Sequence, residues 1–419
     1  MHAQLDAIRP PAHVLSSSFV PGQPQADVLV DPQGELTLHQ ALRLSLAHNP
    51  DLAAAGWQVV AAQADARQSG RPPNPRASLA VENFAGPQGG DTFERQTLRL
   101  SQVIELADKR NRRVDFATSQ QRLVAWDYEQ ARLDTAAQVA RRYVDVVVGQ
   151  QRVELAGHNL ALAQRAFDIV NQRVETGVAP VTERNKAQVR LSLQRIAQQR
   201  SEREYQAARQ SLAALWGGRT ANFTQAVGDL SVAVEVPDAK TLRERLRRAP
   251  AVARWDDEIA SRRAAWELAR ANAVPDPTLG GGVRYFPDAD DTAGVVEFSV
   301  PLAILDRNEG GILAARLRIA RAYEQRNAAQ AAAARDLVVA MMRFEAAAFE
   351  LQTLDDEAIP AARSAYDSAS RAYELGQTDY LEVLDAERTL VEVELQKINA
   401  SGHYHTAVID IERLTASQW

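Results

Sequence analysis

"YELGQTDYLEVLDAERTL", residues 373–390, and "VETGVAPVTERNKAQVRL", residues 174–191, interrupt two long helical patterns in the same way. The glycines at the breaks, Gly177 and Gly376, stand 199 positions apart. The recurrence extends outward from them. "LTLHQALRLSLAHNPDLAAA" (36–55) resembles "KTLRERLRRAPAVARW" (240–255), with Pro50 matching Pro250. "RPPNPRASLAVENF" (71–84) matches "AVPDPTLGGGVRYF" (273–286), and "LSQVIELADKRN" (100–111) matches "FSVPLAILDRNEG" (298–310), setting Asp108 against Asp306. Anchors that keep one order and nearly one spacing mark an internal repeat.

Each unit reads as a helix, two short strands, a very long helix, a break and a last helix. Leu36–Ser69 and Thr241–Ala273 are the leading helices, each stopping at a proline-rich corner as helices do before proline. The long helices are predicted from Lys109 to Thr176 and from Glu309 to Leu375, each about 100 Å at 1.5 Å per residue. Val153, Leu160, Phe167 and Val174 form one seven-residue row, and Leu155, Leu162 and Ile169 another. Leu337, Phe344, Leu351, Ala358, Ala365 and Ala372 keep the same step in the second unit. That step implies left-handed supercoiling against neighbouring helices. The chain reads as mainly α with a small β part: an extended strap at 1–35, a first repeat at 36–218, a linker at 219–239 and a second repeat at 240–419.

Four strands are predicted, Ala77–Phe84, Gln96–Ile104, Leu279–Phe286 and Gly294–Leu302. In each, apolar residues alternate with polar ones. One face carries Leu79, Val81, Leu98, Leu100, Val283, Tyr285, Val296, Phe298 and Val300; the other carries Glu82, Arg99, Arg284 and Glu297. The pattern fits lipid on one side and water on the other, and fits equally a soluble half-buried hairpin. Phe84, Phe93, Tyr285 and Phe286 near the hairpin ends favour the first, as an aromatic girdle, and so do the polar loops "AGPQGGDT" and "PDADDTA". Four strands cannot close a barrel, and an open edge in lipid leaves backbone groups unsatisfied. Two chains would give eight strands, whose interior side chains fill; a water channel therefore needs three.

Composition excludes several functions. A charged share of 24% and a hydrophobic share of 46% fit an ordered chain. A net charge of −6 argues against nucleic acid as partner, and the absence of cysteine removes disulfides and thiolate chemistry. No apolar run approaches a spanning helix, and the start lacks a signal-peptide pattern. His403 and His405 point to different helix faces and make a poor metal pair, and "GGG" at 280–282 lacks a phosphate-loop lysine. No metal site, cofactor site or catalytic set stands out.

The duplicated unit and the "G-x-x-x-x-x-E-x-L-D-A" break at Gly376–Ala386 resemble the TolC family of outer-membrane efflux channels, from about residue 36 onward. The "LTLHQAL…NPDL" start is similar to the heavy-metal branch of the cobalt–zinc–cadmium type. The resemblance implies a homotrimer in the outer membrane of a Gram-negative bacterium. Its 12-strand β-barrel would continue into a 12-helix periplasmic α-barrel. It implies a passive duct for divalent metal cations, coupled by a periplasmic adaptor to a proton-driven inner-membrane pump of the RND type. Gly177, Val178, Gly376 and Gln377 would be the adaptor-docking tips, and Glu382 and Asp385 the ring at the closed aperture. Thr182, Glu183 and Tyr373 match gate links between neighbouring hairpins, whereas Thr378 departs from the basic residue of the best-known members. Glu82, Arg99, Arg284 and Glu297 would then face the barrel lumen. The competing readings are a channel for drugs or other small organic compounds, and a soluble periplasmic adaptor or coiled-coil scaffold.

Overall fold

The computed structural model describes residues 32–82, 95–230, 234, 236–287 and 289–416. Most of the predicted strap, Phe84, Phe93 and the loop 85–92 lie outside the described residues. The first half runs β1 (Gly34–Thr37), α1 (Leu38–His48), α2 (Pro50–Ser69), β2 (Arg76–Glu82), β3 (Arg95–Val103), α3 (Lys109–Glu175) and α4 (Val181–Ala213). The second runs β4 (Phe223–Val227), α5 (Ala239–Arg248), α6 (Pro250–Asn272), β5 (Thr278–Phe286), β6 (Asp291–Ser299), α7 (Glu309–Thr353), α8 (Ile359–Glu374) and α9 (Tyr380–Thr415). Contacts group into one unit of residues 57–127 and 251–329 and another containing 32–56, 128–250 and 330–416, with α3 and α7 contributing to both.

In the first unit β2, β3, β5 and β6 form one antiparallel sheet in that order, so β2 and β6 are its edges. Beside it Asp257 of α6 accepts from Arg122 (2.9 Å) and from the Trp126 indole (2.8 Å), both on α3. In the second unit β1 pairs in parallel with β4, over a core that holds Leu36, Tyr143, Leu212, Trp216 and Phe223. Burial pushes the Tyr143 phenol up to about 12, and its hydroxyl donates to the Val227 carbonyl at 2.6 Å. The predicted strap and linker therefore each contribute a strand that sequence periodicity did not reveal, four and five residues being too short to show alternation.

The leading helices are each two helices, not one. Asn49 and Ala249, immediately before Pro50 and Pro250, are extended at ψ 123 and 145, because the proline ring excludes α geometry from its predecessor. Asn49 then caps α2, its side chain accepting from the Leu52 amide at 2.9 Å.

The second long helix is also broken. Leu354–Ala358 is a π turn in which the Ile359 amide reaches back five residues to Leu354. Pro360, at the start of α8, has no amide and would crowd the Asp356 carbonyl in a regular helix. The extra residue shifts the buried seam by one. Ala340, Ala347 and Leu354 are seven apart, but the seam resumes at Ala362 and Ala369. The predicted row through Ala358, Ala365 and Ala372 is therefore out of register, and Ala365 is exposed. In α3 the buried line is Ala156, Ala163 and Val170, while the larger residues of the predicted rows flank it, half-buried or, for Ile169, exposed.

Near the end of α9 burial alone pushes the Glu412 carboxyl up from 4.5 to about 7. The folded chain then holds a proton that the unfolded chain releases, so stability falls as pH rises from about 4.5 to 7. Glu412→Gln should raise the melting temperature at pH 8 by the equivalent of about 1–2 kcal/mol, after discounting for solvent screening, with no gain at pH 4.5. Calorimetry at the two pH values checks this; an equal shift at both would count against it.

Candidate functional site

Both helical breaks are Schellman turns. In the first, Gly177 has φ +75°, the Gly177 amide donates to Val174 (3.0 Å) and the Val178 amide to Arg173 (2.9 Å). In the second, Gly376 has φ +72°, its amide donates to Tyr373 (3.0 Å) and that of Gln377 to Ala372 (2.9 Å). The left-handed residue between two such bonds strongly favours glycine, which explains the recurrence in the sequence. The outgoing helices start differently. Pro180 is the N-cap of α4, whereas Asp379 caps α9 through its side chain. Val178, Val181, Leu375 and Leu381 leave apolar surface exposed around the two turns, and Gln377 is exposed beside them.

Behind the turns a small core joins the two hairpins: Val170, Ala187, Ala369, Tyr373, Tyr380 and Val383. Tyr373 donates to the Glu183 carboxylate at 3.0 Å, and the Arg173 guanidinium lies 4.5 Å over the Tyr373 ring while donating to its carbonyl at 2.7 Å. Burial, and then the bond to Glu183, push the Tyr373 phenol up to about 12, so it stays a donor at neutral pH. Glu183 and Tyr373 thus meet within one chain. Thr182 remains exposed and takes no part in this cluster.

Sequence reading missed a second tie. Glu387 is buried and accepts from Arg190 of α4 at 3.0 and 3.2 Å. The Gln194 amide, turned with its oxygen toward Arg190, accepts at 2.9 and 3.1 Å. The signal was present: Glu387 stands seven residues after Tyr380 in a row otherwise made of Val383 and Leu390, where a charge requires a partner.

Glu382 and Asp385 are exposed on α9, on a different face from Val383, Glu387 and Leu390. The Thr378 hydroxyl donates to the Glu382 carboxylate, so the residue that departs from the family pattern engages one of the predicted aperture groups.

In the sheet, register places Glu82, Arg99, Arg284 and Glu297 on one face. Arg99 of β3 reaches across β5 to Glu297 of β6 at 3.1 Å. It crosses at Gly282, where an added Cβ would run into the Leu98 carbonyl oxygen and lie 3.0 Å from the Arg99 Cα and 3.1 Å from its Cγ, so the close approach of β3 and the arginine stem both favour glycine there. Arg284 donates to Thr97 at 3.0 Å. The other face is apolar and uncovered: Leu79 is 68% exposed, Leu98 60%, Phe298 67% and Val296 89%. Tyr285 shares that face, but Phe286 is on the opposite one, so only the tyrosine can belong to a girdle there. The strands also end differently from expectation: β6 begins at Asp291 and stops at Ser299, before Val300.

Among the described residues no helix is long and apolar enough to cross a membrane, and no three acidic or histidine side chains group as a metal site. His405 instead lies 3.1 Å from the Leu230 carbonyl.

The chain is 29% identical to the cobalt-zinc-cadmium resistance protein CzcC of Cupriavidus metallidurans, over 95% of this chain and 93% of that one. It is 28% identical to the nickel-cobalt-cadmium resistance protein NccC of Alcaligenes xylosoxydans xylosoxydans, over 67% of this chain and 64% of that one. Its fold superposes on the crystal structure of CusC with a TM-score of 0.78 at 17% identity, covering 90% of this chain and 91% of that one. Proteins of this kind are channels, not enzymes. The outer membrane efflux protein profile matches residues 41–218 and 241–417, and the chain belongs to that family.

Proposed function

We propose that three copies of this chain form the exit duct of a proton-driven tripartite system that carries divalent metal cations across the outer membrane. The uncovered apolar sheet face carries the reading. Four strands with lipid-suited residues on one side and Arg99, Arg284 and Glu297 on the other are too few to seal a pore. Pooling β2, β3, β5 and β6 of three copies yields twelve strands, enough for a water-filled lumen lined by Glu82, Arg99, Arg284 and Glu297. The duplicated unit supplies two hairpins per chain. Their tips at Gly177, Val178, Gly376 and Gln377 are the docking points for a periplasmic adaptor, which links the duct to an inner-membrane pump. The resistance proteins CzcC and NccC support metal cations as cargo over organic compounds.

In this reading Glu382 and Asp385 of three chains converge at the periplasmic aperture. Six carboxylates repel one another unless cations bridge them, so divalent ions should block the resting duct. The gate links Thr182, Glu183 and Tyr373 hold the hairpins, the last two already joined within each chain. Planar-bilayer recording on the purified protein tests both levels. The wild type should insert and conduct with divalent block. Glu382→Ala combined with Asp385→Ala should raise conductance and weaken block about ten-fold, or ~1.4 kcal/mol of lost cation binding. Unchanged conductance and block would remove the aperture assignment, and a chain that never conducts would remove the duct.

A further inference from the structure

We infer that the basic cavity at the helix-side end of the sheet holds the phosphate of an anionic phospholipid from the periplasmic leaflet; this rests on the reading that the sheet's apolar face meets lipid. The cavity, about 1070 Å³, is lined by Arg71, Arg110 and Arg113 together with Pro72, Pro73 and Ile104. It lies where β3 ends. Gln102 donates to the Pro73 carbonyl at 2.8 Å, and the Ile104 amide donates to the Pro277 carbonyl at 2.8 Å. Ile104 follows Leu98, Leu100 and Gln102 at alternate positions and is 39% exposed, so past Gln102 an apolar side chain of that row stands beside the cations. A phospholipid has this same division, acyl chains on one side and a phosphate at the end.

The charges are only partly consumed locally. Arg113 is paired with Glu105, Lys109 with Asp276 at 2.7 Å, and Arg112 lies 3.8 Å from Asp108. Both carboxylates in the cavity wall, Glu105 and Asp108, are thereby engaged. Among the described residues no side-chain hydrogen bond or ion pair reaches the guanidinium of Arg71 or of Arg110. Two unpaired guanidinium groups in one cavity suit a phosphate, which each can bind through paired N–H donors.

The second repeat serves as an internal comparison. Its long helix begins "EGGIL" (309–313) where the first begins "KRNRR" (109–113). Starting a long helix after a strand thus needs no basic residues, and cations in a first turn oppose the helix dipole. Lys109, Arg112 and Arg113 tie the start of α3 to its surroundings, which leaves Arg71 and Arg110 as the two cations that the fold does not use.

The full-length protein should be placed in nanodiscs of phosphatidylethanolamine with a minor share of phosphatidylglycerol, then extracted into detergent and weighed by native mass spectrometry. The wild type should carry phosphatidylglycerol preferentially. Arg71→Gln with Arg110→Gln should carry about 25-fold less, roughly five-fold per arginine near a lipid surface. Arg200→Gln with Arg203→Gln on α4 makes the same charge change elsewhere and should retain the lipid. Equal retention by the first pair, equal loss from the control pair, or displacement of the lipid by inorganic phosphate at equal affinity would each overturn the proposal. A wild type that inserts while the lipid preference is absent sinks the site alone; a wild type that does not insert sinks the membrane reading and the site with it.

Discussion

Val296→Arg, or Leu98→Arg, prevents accumulation of the protein in the outer membrane, while Val295→Arg is tolerated. Val296 is 89% exposed on the apolar face and Leu98 60%. Val295 is the next residue along β6 and faces Gly282 on the polar side, beside the Arg99–Glu297 pair. The two β6 positions share one depth, so they differ only in the side of the sheet. An arginine facing lipid near the bilayer midplane costs about 2–4 kcal/mol, and each variant is present once per chain. In a three-chain barrel the cost is incurred three times, which is comparable to the whole stability of an ordinary domain. Fractionation followed by detergent extraction and sizing checks the outcome. Equal effects of Val295→Arg and Val296→Arg would show that the sheet face does not meet lipid.

Arg190→Ala should be the most damaging single change at the hairpin end. The Arg190 and Glu387 side chains are 19% and 4% exposed, and α4 and α9 are tied through them. Deleting the arginine leaves a buried carboxylate without a counter-charge, at a cost of about 3–5 kcal/mol. Arg190→Met combined with Glu387→Met should cost far less, because an apolar pair of similar volume removes both desolvation penalties. Limited proteolysis near residues 177–181 and 376–380 reads the local loosening directly. A double variant as fragile as the single one would mean that packing, not charge, holds this junction.

Much of the architecture was legible in local chemistry. Gly177 and Gly376 announced the turns because a positive φ at a helix end is cheap only for glycine. The face assignment of Glu82, Arg99, Arg284 and Glu297 followed from the two-residue period of a strand, which holds wherever the strand ends. Errors arose where a single residue acts on its neighbour's backbone. Pro50 and Pro250 each split a helix, and Pro360 forced a π turn that moved the following seam by one position. The steric effect that ends helices at the proline corners 72–75 and 275–277 operates equally inside the helical patterns.

The sequence by itself determined where this chain turns, which strand residues share a face, and that it belongs among outer membrane efflux proteins. Those properties depend on residues within a few positions of one another, whose sterics and periodicity are written in order along the chain. Only the tertiary structure decided that Tyr373 meets Glu183, that Arg190 meets Glu387, that β1 pairs with β4, and that Arg99 reaches Glu297 over Gly282. Each of these joins residues more than 180 positions apart. Such pairs depend on the register between packed elements, and one extra residue in a helix is enough to change it.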